Sequence, residues 1–354
     1  MTATTDLLGS LLTPTTLAGL PLSSRFAMAP MTRFRSPGGV PTPEVAAYYR
    51  RRAEHGVGLI ITEGVLVDHP SAGHQATVPR LTAGAAEDGW RRVVEQVHEV
   101  GGRIAAQLWH LGSAREPVDG FPAWTPSGVP GGSRPMTPAD IDDLLAAYAR
   151  AAAVAVRAGF DALEIHAAHG YLLDEFLWPH TNRRVDRFGG SPAARAVFPA
   201  EVIRAVRAAI PRDMPLIVRF SQFKERDYAA RIADSPAELA VILGAFAAAG
   251  ADVLHASQRD FAAAAFAGSP LNLAGWAKQL TGLPSITVGS VGLTRDFLGS
   301  AARRALVDRL DAGEYDLVAL GRVLLGNPEW VTHAAAGRLD LIRDYRKSDE
   351  DTYF

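Results

Sequence analysis

A short stretch near the middle of the chain, residues 161–191, has side chains of the types and spacing that catalysis requires. It begins with an apolar segment and then places His166, His169 and Tyr171 within six residues. Imidazole and phenol groups at the C-terminal end of a buried strand are where α/β proteins usually carry their chemistry. Two imidazoles can donate hydrogen bonds to a carbonyl oxygen, and a phenol that is protonated at neutral pH can protonate a forming carbanion.

Other interpretations of this cluster are open from the residues alone. The spacing of His166 and His169 is compatible with a zinc site, but no acidic or cysteine ligand follows at a suitable spacing, so no metal is expected. Each histidine could be structural, and Tyr171 could be a half-buried aromatic with a hydrated hydroxyl. Because all three rings lie at one predicted strand end, we favour a site that polarises and protonates a substrate.

Glycines follow the last two predicted strands. Gly289-Ser290 ends the seventh strand and Gly321-Arg322 ends the eighth. In α/β barrels the loops after these two strands frequently bind phosphate. Glycine lets backbone N–H groups approach the anion, and an arginine adds charge. The two strand ends therefore predict a phosphate site.

Three more side chains lie near predicted strand ends. Arg219 is a guanidinium inside an apolar strand, where it needs either a structural carboxylate or the anionic edge of a ligand, and we favour the ligand. Gln107 and Trp109 face the same side of their strand by alternation. The Gln107 amide could bond the edge of a heteroaromatic ring. The Trp109 indole could form a wall of the substrate pocket or could simply pack.

Eight apolar segments that predict strands alternate with helical patterns. The predicted strands are residues 25–30, 58–63, 103–109, 162–166, 216–220, 252–255, 285–289 and 316–321. The predicted helices are residues 43–55, 87–100, 138–158, 192–210, 236–249, 271–280, 294–310 and 328–336. This alternation implies parallel pairing, and eight units favour one closed (β/α)8 TIM barrel over an open sheet. We expect residues 1–354 to form this single domain.

Long connections should cover the catalytic mouth of such a barrel. Residues 111–137 and 222–235 both follow predicted strands, and loops of this length are usually lids or binding loops. The apolar segment 260–268 could line the mouth or cover it. No G-x-G-x-x-G fingerprint follows the first strand, so a Rossmann domain for a nicotinamide nucleotide is not expected.

Composition narrows the classes of function. A formal net charge of −2 gives no electrostatic signature for nucleic acid or anionic membranes. The absence of cysteine excludes disulfides, a thiol nucleophile and a cysteine-ligated iron–sulfur cluster. The first residues lack the features of a signal peptide, and no apolar run is long enough to predict a membrane span. We expect a cytoplasmic protein with a small-molecule partner.

The motif HAAHGYLLDEFL, followed by N-x-x-x-D-x-F-G-G-S, resembles the Old Yellow Enzyme family of FMN-dependent ene-reductases. The motifs RFAMAPMTR, GLIITEG, QLWHLG, IVRFS and DLVALGR-x-x-L-x-NP also occur in the order of that family. The resemblance implies one FMN-containing (β/α)8 barrel, which NADPH or NADH visits as a transient hydride donor. That arrangement agrees with the missing dinucleotide fingerprint.

The resemblance also implies roles for individual residues. Those assigned to FMN are Pro30, Met31, Thr32 and Gly64 along the ring, Gln107 and Arg219 at its polar edge, and Gly289, Ser290, Gly321 and Arg322 at the phosphate. His166 and His169 would bind the activating oxygen of the substrate. Tyr171 matches the family's proton donor. The segments 222–235 and 260–268 match no family pattern and are expected to set substrate preference.

The sequence therefore predicts an ene-reductase. A nicotinamide nucleotide would reduce FMN, which passes hydride to the β-carbon of an activated alkene, and Tyr171 would protonate the α-carbon. The alternatives are a related FMN amine or N-demethylating dehydrogenase, a flavin-free phosphate-binding lyase or isomerase, and a non-catalytic scaffold. A homo-oligomer is compatible with the sequence. The ending at residues 351–354 resembles a family terminus with an aromatic pair near a pocket.

Overall fold

The computed structural model describes residues 8–118 and 120–353. A short antiparallel hairpin, β1 (Thr15–Leu17) and β2 (Leu20–Leu22), precedes a closed barrel of parallel strands. The barrel strands are β3 (Phe26–Met28), β4 (Leu59–Leu66), β5 (Arg103–Trp109), β8 (Ala162–His169), β9 (Leu216–Lys224), β10 (Val253–Ser257), β11 (Ser285–Val288) and β12 (Leu317–Leu320). Each pairs with the next along the chain, and β12 pairs with β3, so the predicted eight-stranded parallel barrel is confirmed.

Helices surround the barrel and occupy the connections between its strands. They are α1 (Pro43–Glu54), α2 (Ala85–His98), α3 (Pro138–Ala158), α4 (Leu172–Leu177), α5 (Pro192–Arg195), α6 (Val197–Ala209), α7 (Pro236–Ala248), α8 (Leu273–Thr281), α9 (Ala301–Asp311), α10 (Val323–Gly326) and α11 (Trp330–Ala335). The long connection after β5 contains the two-residue strands β6 (Trp124–Thr125) and β7 (Arg134–Pro135). Over the described residues, no helix is long and apolar enough to cross a membrane.

Local sequence signals explain where the major helices begin and end. The longest helix, α3, starts with a capping box in which Thr137 and Asp140 satisfy each other's backbone N–H groups, and it ends at Gly159 with φ of 90°. The predicted helix over residues 192–210 is interrupted at Ala196, because Pro199 has no N–H to continue the ladder. The predicted helix over 294–310 starts late, where Ser300 caps α9 after a 3-10 turn.

Two hydrophobic layers hold the barrel together. The inner layer contains small and medium side chains of alternate strand positions, such as Ala105 and Ile217, and the hairpin closes its lower end with Leu17 and Leu22. The outer layer lies between strands and helices and is much larger. Because both faces of every strand are buried, the strands read as continuous apolar runs in the sequence.

Candidate active site

The carboxyl ends of the barrel strands open on a trough, which consists of two adjoining cavities of about 530 and 400 Å³. Both cavities are lined by Pro30, Met31, His169, Arg219 and Glu225, so they form one continuous depression across the mouth. The residues predicted from the sequence all line this trough: Pro30, Met31, Thr32, Gly64, Gln107, Trp109, His166, His169, Tyr171, Arg219, Gly289, Ser290, Gly321 and Arg322.

The end of the trough near β11 and β12 combines open backbone with positive charge. A Cβ added at Gly321 would meet nothing closer than Ala29 Cβ at 4.0 Å, so the backbone there faces open space. Gly289 is needed for packing instead, since a Cβ would lie 2.6 Å from the backbone nitrogen of Phe261. The cations that line this end are Arg259, Arg322 and Lys347. This end therefore suits a phosphate group.

Ser290 has a different role from the one that its hydroxyl suggests. The residue adopts φ of 57°, and its Oγ donates to the carbonyl of Arg259 at 2.8 Å. A phosphate contact from Ser290 would therefore come from the backbone N–H. Glycine and asparagine adopt this left-handed conformation more readily than serine does.

The centre of the trough lies on a buried polar cluster that sequence analysis missed. Glu164, which is fully buried, accepts from Gln107 Nε2 at 2.8 Å and bonds His255 Nδ1 at 2.6 Å. Arg219 lies beside this carboxylate, and within the described chain its Nε has no hydrogen-bond partner. Burial lowers the pKa of Arg219 and the Glu164 charge opposes that shift, but a guanidinium stays protonated at neutral pH.

The opposite end of the trough holds the predicted ring cluster. The His166 ring centroid lies 5.1 Å from that of His169 and 5.0 Å from that of Tyr171, and the Trp109 centroid lies 4.9 Å from Tyr171. Tyr171 is placed by α4, of which it is the N-cap residue. His166 therefore contacts both of the other groups that were proposed to polarise and protonate a substrate.

Both histidines of the cluster are neutral at pH 7. Burial holds their pKa values well below the usual range, and the charge of Arg219 acts in the same direction. His166 Nδ1 accepts from the Ala168 N–H at 3.3 Å, so the ring proton lies on Nε2. His169 Nε2 lies 2.8 Å from Ser257 Oγ. If that hydroxyl donates, the His169 proton lies on Nδ1.

Tyr171 is a protonated phenol with one strong acceptor. Its hydroxyl donates to Glu225 Oε2 at 3.1 Å. Burial raises the pKa of Tyr171, and the neighbouring Glu225 carboxylate raises it further. Glu225 lies in the connection after β9 that had no readable pattern, and no feature of the sequence pointed to it.

Close packing fixes the floor of the trough. A bulge in β4 places Gly64 opposite Gln107, where a Cβ would lie 2.5 Å from the Trp109 ring. The Arg33 N–H donates to Glu63 Oε2 at 2.8 Å and so anchors the segment that contains Thr32. A side chain larger than glycine at position 64 would therefore displace Trp109.

Other predicted features have simpler roles. No three histidine, aspartate or glutamate side chains are grouped to hold a metal ion in residues 8–118 and 120–353. In the apolar segment 260–268, Phe261 and Phe266 are buried against the rings of Phe297 and Trp276, and neither lines the trough. Tyr353 stacks on Tyr48 with ring centroids 4.6 Å apart, and neither ring lines the trough. Phe354 lies outside the described residues.

A parallel barrel with an anion-binding end and a neutral imidazole pair beside a phenol defines a cofactor-dependent barrel enzyme. Residues 10–340 match the sequence model of the NADH:flavin oxidoreductase / NADH oxidase family. The chain belongs to this family, in which the Old Yellow Enzymes are found, and it is therefore an oxidoreductase with FMN as its cofactor.

Comparison with individual proteins agrees with this assignment. The chain is 34% identical to an NADH oxidase of Thermoanaerobacter brockii over 92% of its own length, which is 51% of that protein. It is 33% identical to 12-oxophytodienoate reductase 7 of Oryza sativa subsp. japonica, covering 88% of this chain and 84% of the relative. Morphinone reductase in complex with tetrahydroNAD superposes with a TM-score of 0.80 at 30% identity, covering 98% and 97% of the two chains. Old Yellow Enzyme from a Pichia species gives 0.82 at 26% identity, covering 97% and 91%.

The trough fits FMN by its own chemistry. The open backbone at Gly321 and the adjacent Arg322 suit the phosphate, and the unpartnered Nε of Arg219 suits the anionic edge of the ring system. The two cavities are also large enough in sum for a cofactor of this size. The residues assigned to FMN from the sequence line this one trough, and their individual roles stay predictions.

Proposed function

We propose that the chain is an ene-reductase that reduces alkenes conjugated to a carbonyl group, with NADPH or NADH as the source of electrons. The observation that carries the proposal is the position of His166, whose neutral imidazole contacts both the neutral imidazole of His169 and the protonated phenol of Tyr171 at one end of the trough. When bound, FMN would take hydride from the nicotinamide nucleotide and supply it to the β-carbon of the alkene.

The residues of the ring cluster would activate the alkene. The His166 Nε2–H and the N–H of His169 donate to the carbonyl oxygen, on which negative charge develops as the β-carbon is reduced. A neutral imidazole serves this purpose because it keeps one N–H, which is the donor that the carbonyl oxygen needs. Tyr171 Oη then gives its proton to the α-carbon. Trp109 restricts how the substrate lies against Tyr171.

The alternatives are now fewer. Family membership excludes a flavin-free lyase or isomerase and a non-catalytic scaffold. A related FMN dehydrogenase that acts on amines differs from an ene-reductase in the reaction that it carries out on its substrate. An amine dehydrogenase would take electrons from its substrate, whereas the cluster of donors around Tyr171 is suited to delivering a proton to one.

Anaerobic stopped-flow kinetics test the proposal. NADPH should bleach the flavin absorbance and cyclohexenone should restore it. Tyr171→Phe should slow the second step about 100-fold or more while leaving the first within about threefold, since general acids contribute roughly 10²–10⁴-fold. Tyr148→Phe is the matched control, because that phenol is buried on α3 in the outer layer and does not line the trough. Equal slowing of both steps in Tyr171→Phe would remove Tyr171 from the donor role.

A further inference from the structure

A further cavity, of about 220 Å³, lies between the two segments that match no family pattern, residues 222–235 and 260–268, and we call it the loop cavity. Both segments contribute to its lining, together with residues 257–259 after β10. Tyr228 and Arg259 line the loop cavity and also line the trough. The two spaces therefore adjoin, and a long ligand in the trough can extend between the two segments.

Two arginine side chains place positive charge beside the loop cavity. Arg231 Nη1 donates to the carbonyl oxygen of Ala265 at 3.3 Å, so this guanidinium reaches from the first segment to the second. The Arg259 guanidinium lies 4.1 Å from the centroid of the Tyr228 ring. Because Ala265 and Tyr228 both line the cavity, both guanidiniums lie next to it. Within the described part of the chain, neither forms an ion pair with a carboxylate.

The other groups of the lining favour an anion with a planar ring. The remaining charged side chain is Asp260, whose carboxylate accepts from the Ala262 N–H at 2.9 Å. Two arginines and one aspartate give the lining a formal charge of +1. Guanidiniums pair with phosphate through parallel N–H groups. Tyr228, which is 60% exposed, adds an aromatic surface beside that charge, so the cavity suits a phosphate attached to a group with a planar ring.

The volume of the loop cavity limits which part of a ligand can enter it. About 220 Å³ is below the usual lower limit of about 300 Å³ for pockets that hold a whole small molecule. A ligand of the loop cavity should therefore be one end of a longer molecule whose other end lies in the trough. A nicotinamide nucleotide is such a molecule, because its nicotinamide must reach the flavin while its phosphates and adenosine extend away from it.

We propose that the loop cavity binds a phosphate group of the nicotinamide nucleotide through Arg231 and Arg259, with the adenosine beside Tyr228. The phosphate has two candidate sources: the pyrophosphate that NADH and NADPH share, and the 2′-phosphate that only NADPH carries. The two segments, which were expected to set substrate preference, thus act on the electron donor. The proposal rests on the proposed function only for the nucleotide as the source of electrons.

Anaerobic stopped-flow reduction of the flavin tests the proposal with three donors: NADPH, NADH and the phosphate-free 1-benzyl-1,4-dihydronicotinamide. The dependence of the rate on donor concentration gives a dissociation constant and a limiting rate for each donor. We expect Arg231→Gln to raise the dissociation constant of NADPH about fivefold at low ionic strength, with the limiting rate unchanged. Arg231→Lys keeps the charge and should recover most of the affinity. Added salt should reduce the difference between Arg231→Gln and the natural chain, because exposed charges are screened.

The choice of variants keeps FMN binding out of the result. Arg231 does not line the trough, whereas Arg259 does, so only Arg231 is replaced. The visible absorbance of each purified variant verifies that it holds FMN. Arg212→Gln is the matched control, since this exposed arginine precedes β9 at the end of the barrel opposite to the trough. If Arg231→Gln does not fold, Ala264→Glu adds a negative charge to the lining and leaves both arginines in place.

The pattern of losses decides the outcome. A loss of affinity for NADPH alone assigns the arginines to the 2′-phosphate, and equal losses for NADPH and NADH assign them to the pyrophosphate, so both results support the proposal. Unchanged affinity for both nucleotides would overturn it. An equal loss for the phosphate-free donor would also overturn it, because the substitution would then act on the shape of the trough and not on a phosphate.

A binding measurement separates this proposal from the proposed function. NADP⁺ cannot donate hydride, so calorimetric titration of the holoenzyme with it needs neither flavin reduction nor an alkene. Binding of NADP⁺ to Arg231→Gln that is about fivefold weaker than to the natural chain supports the loop cavity even if cyclohexenone is not reduced. Equal binding to both would refute it even if cyclohexenone is reduced rapidly.

Discussion

At the scale of single residues, Arg219 connects the two halves of the trough. It lines both cavities, and its charge helps to hold the pKa values of His166 and His169 well below the usual range. Glu164 balances part of that charge from beneath. Arg219 therefore has an unpaired N–H, which we predict donates to the anionic ring edge of FMN, and its charge adds to the effect of burial in keeping the imidazole pair neutral.

We predict that Arg219→Met weakens FMN binding about 10- to 100-fold, since hydrogen bonds to charged groups contribute roughly 1.5–3 kcal/mol. Fluorescence titration of the apoprotein with FMN measures the effect. Arg212→Met is the control, because Arg212 is exposed and precedes β9, at the end of that strand opposite to the trough. An unchanged dissociation constant in Arg219→Met would contradict the assignment of this guanidinium to the ring edge.

At the scale of secondary structure, the site depends on how α4 is fixed to β9. A register shift between β8 and β9 near His169 gives that residue φ of 67°. Lys224 at the end of β9 donates to Asp174 of α4 at 2.8 Å, and the Gly170 N–H donates to the other oxygen of Asp174 at 2.7 Å. The buried pair thus holds the turn between the second imidazole and the phenol.

Removing one charge of the pair formed by Lys224 and Asp174 should lower the free energy of unfolding more than removing both charges does. We predict that Lys224→Met lowers the free energy of unfolding by about 3–5 kcal/mol, because a buried carboxylate loses its partner. The double variant Lys224→Met, Asp174→Asn should recover at least about half of that, since the amide still accepts from Gly170. Urea unfolding of the four proteins measures the cycle, and simple additivity would show that the pair is not coupled.

The sequence indicates the elements of the fold well and their fine geometry less well. Periodic apolar runs predicted β5 and α3 to the residue because strong local signals bound them. The continuation of β8 to His169 was missed because a bulge depends on the neighbouring strand. The hairpin formed by β1 and β2 was missed because each strand has three residues and little periodicity.

The residues of the site divide in the same way, into those that sequence patterns predict and those that only the folded barrel brings together. Residues at strand ends, such as His166 and Gly321, are readable because parallel strands bring their carboxyl ends together. Glu164 and His255 bond across a separation of 91 residues, and only the closed barrel makes them neighbours. Alternation along β8, in which positions 162, 164 and 166 share a face, was the one signal that could have placed Glu164 inside. Glu225 lies on an irregular connection, for which no periodic signal exists.

At the scale of the whole molecule, the buried histidines and the buried carboxyl groups have opposite effects on how the free energy of unfolding depends on pH. The buried histidines His110, His166 and His255 and the half-buried His169 have lowered pKa values, mainly because of desolvation. Burial also raises the pKa of three carboxyl groups, to about 7 for Glu63, about 6 for Asp174 and about 8 for Glu175. Below pH 6.5 these histidines bind protons in the unfolded chain but not in the folded chain. Above pH 4.5 these carboxyl groups lose their protons in the unfolded chain but keep them in the folded chain.

One histidine and one carboxyl group outside the ring cluster separate these two effects. The pKa of His110 falls from 6.5 to about 3 on folding, chiefly through burial, so its contribution to stability should rise by about 1.4 kcal/mol from pH 5.5 to 7.5. The pKa of Glu63 rises to about 7, so its contribution should fall by about 2 kcal/mol over the same interval. Urea unfolding at both pH values should therefore show His110→Gln losing stability towards pH 7.5 relative to the natural chain, and Glu63→Gln gaining it. Because each variant is compared with itself at the two pH values, any cost of the substitution that does not depend on pH cancels. If the free energy of unfolding changes with pH in the same direction in both variants, relative to the natural chain, the assigned protonation states of His110 and Glu63 are refuted.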